Sequence, residues 1–216
     1  MGVMTKDAGA DKAQTAMDVG EMQMDAAQAQ GGQPAEDVRA GEHAHEGHAA
    51  HHHGHEGHHH DKPMTPEEVV SSLLVLGQVA LNAGDYESAV EAYASVLQLE
   101  QNEVALYNLA SFRARGLGVP QDYVEAARLF HQAELLGNER AGMLCAKCMF
   151  DYLHEGMDEK TPANLYASMA VFVSRVYPEA TDPKQEVSRG LTAIANTLIS
   201  KGERDQAQKV LRAAEF

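Results

Sequence analysis

From Thr65 onward, apolar residues recur at three- and four-residue intervals, broken every dozen or so positions by short polar or glycine-containing segments. That period places one oily stripe on each of a series of helices. The breaks fall at Asn82 to Asp85, Glu100 to Asn102, Gly116 to Asp122, Gly137-Asn138, Glu155 to Pro162, Pro178 to Pro183 and Lys201 to Glu203. They predict eight helices in four pairs, near 66–82, 86–99, 103–115, 123–136, 139–154, 163–177, 184–200 and 204–214. The first start is well marked. Thr65 caps the orphan N–H groups, Pro66 suits the first helical position and Glu68 completes a capping box. No strand-like alternation of useful length occurs, and no Asn-Gly or Asp-Gly hairpin signal, so the expected class is all-α.

The pairs repeat one another. Gly77, Gly84 and Ala89 in the first are separated as Ala195, Gly202 and Ala207 are in the last. Small residues at these points let two helices approach, and a bulky residue four positions on, Tyr93 or Leu211, fills the space beside them. A glycine between the helices supplies a left-handed turn. This small–small–large spacing resembles the tetratricopeptide repeat. The second pair, with Ala105, Leu109-Ala110, Gly116, Gly118-Val119, Asp122, Ala126, Phe130, Ala133 and Gly137, resembles the Sel1-like variant, which has a longer loop between its helices. Arg113 stands where that variant usually has an aromatic residue. The third pair begins with Ala141 and Ala146 in place and then loses the pattern at Gly156 to Glu159. The resemblance implies an α-solenoid of about four antiparallel helix pairs over 65–216, its concave face lined by the first helix of each pair. Counting from the small residue of each motif, Gln78, Asn82, Asn108, Ser111 and Arg115 are expected as exposed groove positions that hydrogen-bond a protein or peptide partner. Basic residues are too sparse there for a two-carboxylate clamp.

Composition divides the chain of 216 residues in two. Residues 1–62 contain no Phe, Tyr, Trp, Leu or Ile. Without large apolar side chains the cost of ordering a backbone is not offset, so this arm is expected to be disordered. Charge is acidic throughout, with 4 basic and 11 acidic residues in 1–62 and 13 and 21 in 63–216. Such a chain repels phosphate backbones and anionic lipid, which argues against nucleic-acid and membrane-surface partners. The start lacks a secretory apolar stretch, Lys6 spoils a myristoylation motif, and the apolar runs Leu73–Leu81 and Met169–Val173 are too short to cross a membrane. Two cysteines are too few for a disulfide framework, so a reducing cytoplasmic setting is expected.

The sharpest chemistry lies in the arm. His43, His45, His48, His51, His52, His53, His55, His58, His59 and His60 crowd into eighteen positions, with Glu42, Glu46, Glu56 and Asp61 alongside. Neutral imidazole ligates Zn²⁺ and Ni²⁺, and at three or four per ion the tract has ligands for about two or three ions. Its flexible spacing selects no single metal, and occupancy should fall on acidification through about pH 6.5. Cys145-Ala146-Lys147-Cys148 is a lone CxxC on a helix where the repeat places core residues; it lacks a second pair, and His131 and His154 have no supporting spacing. Packing is the expected role. No nucleophile elbow, phosphate loop or His-Glu-x-x-His motif appears. The leading expectation is a non-enzymatic interaction module with a metal-binding tail and no required cofactor. The alternatives are a metallochaperone-like factor delivering Zn or Ni, or a small secretion-type chaperone. The absence of an obvious polar C-terminal cap leaves room for a homodimer formed end to end.

Overall fold

The computed structural model describes residues 63–216. Eight α-helices follow one another: α1 Pro66–Ala83, α2 Tyr86–Leu99, α3 Glu103–Arg115, α4 Tyr123–Leu135, α5 Glu139–His154, α6 Pro162–Val176, α7 Pro183–Lys201 and α8 Arg204–Ala213. No strand occurs among the described residues. The polar breaks in the sequence do the work of starting helices. Asp85, Asn102, Asp122, Asn138, Thr161 and Asp182 each cap the helix that follows by accepting from one or two of its first backbone N–H groups. At Thr65 the capping box is complete, with the Glu68 carboxylate accepting from the Thr65 N–H at 2.7 Å and the Thr65 hydroxyl accepting from the Glu68 N–H at 3.3 Å. Gly84 and Gly202 take the expected left-handed turns at φ 76° and 84°.

Except at α5 and α6, successive helices pack on one another as a tetratricopeptide-like α-solenoid. The small-on-large contact is explicit in the first pair. A Cβ at Gly77 would lie 2.8 Å from Cζ of Tyr93, whose ring is fully buried. Two apolar clusters result. The first joins Val70, Leu81, Ala89, Tyr93 and Val96 of α1 and α2 to Ala105 and Phe112 of α3. The second runs from Leu106 and Tyr107, on the other side of α3, through to Val210 and Ala213. Leu97 and Leu109 lie against both. The helix α3 is therefore the joint of the stack, offering one face to each cluster.

Two irregular segments depart from a plain repeat. The loop 116–122 is folded back on the first pair. Leu117 and Val119 pack on the first cluster, and Gly118, at φ 67°, comes so close to Tyr86 that a Cβ would lie 2.6 Å from its carbonyl carbon. Arg113, the departure from the Sel1-like pattern, braces this loop by donating to the Pro120 carbonyl at 3.3 Å. In the third pair, α5 and α6 hardly touch. Both pack instead on α4. A 3-10 turn, Met157–Glu159, separates them and buries Met157 in the second cluster. Here the lost sequence pattern has a structural counterpart: an inserted turn, contacted by α8, separates the pair. Lys209 donates to the carbonyls of Met157 and Asp158 at 2.8 and 2.9 Å, and Gln206 donates to the Asp158 carboxylate at 2.9 Å.

Candidate functional site

The five groove positions divide. Asn82 is exposed at the end of α1 and accepts from the Gln78 side-chain amide at 3.0 Å, while Gln78 and Arg115 are half-buried. Asn108 and Ser111 are not exposed. Both are buried in α3, which corrects the expectation for these two residues. The reason lies in the helix period. Asn108 shares a face with Ala105 and Phe112, the residues by which α3 packs on the first pair, so that face is turned inward. Its amide donates to the Val104 carbonyl at 2.8 Å, and its amide oxygen is enclosed without a partner. Ser111 donates to the Tyr107 carbonyl at 2.9 Å, the usual way a buried hydroxyl is satisfied within a helix. Of the five, Gln78, Asn82 and Arg115 therefore remain at least partly accessible.

The cysteine pair sits in the second cluster. Cys145 and Cys148 are free and buried. Burial pushes the Cys148 thiol up to about 12, and it also raises Cys145, against which a contact of 3.4 Å with the Tyr177 hydroxyl acts in the opposite direction. Burial raises Tyr177 as well. The upward shifts keep thiols and phenol largely protonated near neutral pH, which suits a packing role in the second cluster. The ring of His131 meets Tyr177 edge-on at 4.8 Å, with its nitrogens 3.4 Å from the carboxylates of Glu134 and Glu179. His154 stacks on Phe150 and lies 3.5 Å from Glu203. Each histidine therefore ties its helix to a later turn of the chain, and the two do not join the cysteines in one site. Among the described residues, no group of three or more His, Cys, Asp or Glu is placed to hold a metal ion. The ten histidines His43 to His60 lie outside the described residues.

One feature of α1 is apparent only in the folded chain. Val75, Leu76 and Val79 stand on the outer side of α1 at 63%, 54% and 59% exposure. The signal was present in the run Leu73–Leu81, which is apolar on more of the helix than one stripe requires. No helix among the described residues is long and apolar enough to cross a membrane.

The family model of the tetratricopeptide repeat matches residues 70–103, the span that holds Gly77, Ala89 and Tyr93. Searches of curated proteins and of solved structures found no match to the chain. Residue pattern, ring-on-glycine contact and family match coincide on the first helix pair: the chain carries a tetratricopeptide repeat at residues 70–103, and the described residues continue it as an all-helical stack.

Proposed function

We propose that the protein is a non-enzymatic scaffold that holds a protein or peptide partner along the first helices of its stack, and that the tract His43–His60 binds divalent metal. The observation that carries the scaffold reading is the tetratricopeptide repeat itself, an element that serves protein–protein interaction. The accessible Asn82 and partly accessible Gln78 and Arg115 support it, since amide and guanidinium groups suit peptide carbonyls and carboxylates. The metal reading rests on ten imidazoles in eighteen positions. Two free, buried thiols suit a reducing cytoplasm.

The test uses the full chain. A partner captured by the wild type should be lost when Gln78, Asn82 and Arg115 are changed together to alanine, with circular dichroism showing the helices intact. Equal capture by both would overturn the groove. Titration calorimetry with Zn²⁺ and Ni²⁺ reads the tract separately: heat of binding should be present at neutral pH, weak at pH 5.5 or so, and absent when the ten histidines are serine. Metal binding that survives the serine variant would refute the assignment to the tract.

A further inference from the structure

We propose that the outer face of α1 pairs with the same face of a second copy of this chain, forming a two-fold dimer. The starting point is a comparison of α1 with α3. Aligning the small residues Gly77 and Ala110 sets Ser72, Val75 and Val79 against Ala105, Asn108 and Phe112. In α3 those three are fully buried, and Ala105 and Phe112 pack against the first helix pair, with the Phe112 ring 6.1 and 6.2 Å from those of Tyr86 and Tyr93. In α1 the corresponding positions are exposed, because no described helix precedes it. The outer face of α1 is thus the packing face of a repeat without its neighbour.

Two observations favour a second copy as the occupant. The opposite end of the stack is more charged and less continuously apolar, although Phe216 is exposed just beyond α8. The exposed positions of α8 are Arg204, Asp205, Gln208, Leu211 and Arg212, with Leu211 alone apolar among them. Head-to-tail stacking is therefore disfavoured, and a self-complementary contact closes at two copies. This relocates the expected self-association from the C-terminal end to α1. Charge points the same way. The chain carries a formal charge of −15, so copies repel wherever carboxylates face one another. The sixteen residues Val69–Gly84 carry no charge at all, the longest such run in α1 to α8, so an acidic copy approaches this face with little repulsion. It also gives a basic partner nothing to recognise. A contact between two single helices falls short of the ~800 Å² per partner of a standard interface, so the dimer belongs in the micromolar range.

Sedimentation equilibrium of the full chain, with EDTA present so that metal bridging through His43–His60 does not contribute, should show a concentration-dependent monomer–dimer equilibrium. Val75→Glu with Val79→Glu places like charges across the axis and should weaken it at least about tenfold. Both positions are more than half exposed, and a milder Val75→Ser with Val79→Ser guards against misfolding. Leu76→Cys should give a covalent dimer with a short bismaleimide, whereas Ala193→Cys, exposed on α7, should not. A monomer at all concentrations overturns the proposal, whether α1 is then bare or covered by residues 1–62. So does a dimer indifferent to both double variants, or one cross-linked at Ala193 and not at Leu76.

Discussion

Gly77 shows how a single residue decides the geometry of the first pair. In an ordinary helix interior, exchanging glycine for alanine gains up to about 1 kcal/mol from helix propensity. Here the added methyl would meet the ring of Tyr93 at 2.8 Å, and that ring is fully enclosed and cannot yield. Overpacking of this kind costs about 1–3 kcal/mol, so the steric effect wins. Gly77→Ala should lower stability by roughly 1–2 kcal/mol, read as a shift in the urea midpoint. The cysteines behave as core residues for a related reason. A thiol displaced upward to about 12 by burial presents very little thiolate at pH 8. Alkylation of Cys145 and Cys148 in the native protein should run at least about a hundredfold slower than that of an exposed thiol, and reach the normal rate in denaturant. Fast native alkylation would show that the second cluster opens readily.

At the scale of elements, the two irregular segments are held by specific contacts. Gly118→Ala forces a side chain into a left-handed backbone and against the Tyr86 carbonyl, which costs about 1–3 kcal/mol from the backbone alone. The expected result is release of the loop 116–122 from the start of α2, seen as faster hydrogen exchange at Leu117 and Asp122, whose N–H groups bond to the Phe112 and Arg113 carbonyls. At the spread third pair, Lys209 alone supplies two hydrogen bonds to the turn Met157–Glu159. Lys209→Ala should cost about 1–2 kcal/mol and raise exchange between α5 and α6. If exchange there stays unchanged, the turn is held by the burial of Met157 and not by α8.

For the whole molecule, the buried acids link stability to pH. Burial lifts Tyr93 from 10.0 to about 12 and Cys148 from 9.0 to about 12, and raises Cys145 and Tyr177 as well. These groups ionise in the unfolded chain before they do in the folded one, so above pH 9 the unfolded state holds fewer protons than the native state. Stability then falls as pH rises. The stabilisation is fully present below about pH 9 and should be lost progressively toward pH 12, which urea unfolding across that window will check. A flat profile would mean that the clusters around Tyr93 and Cys148 are wetter than their burial indicates.

Much of this architecture was legible in the residues because helical periodicity and capping are local. Thr65-Pro66-Glu67-Glu68 and the Asp and Asn residues at the breaks satisfy orphan N–H groups within three positions, so helix boundaries fall within a residue or so of those expected. The pairing of Gly77 with Tyr93 was also readable, since both lie in one repeat. What the sequence by itself could not settle was which helix face meets which neighbour. Asn108 and Ser111 have the composition of groove residues, yet packing of α3 on the first pair turns them inward. The residues Val75 and Val79 have the composition of core, yet no described neighbour covers them. The turn between α5 and α6 likewise meets Lys209, fifty-two positions beyond Met157. Local hydrogen bonding determines where a helix begins and ends, whereas burial depends on what lies on the far side of it, and only the assembled stack specifies that.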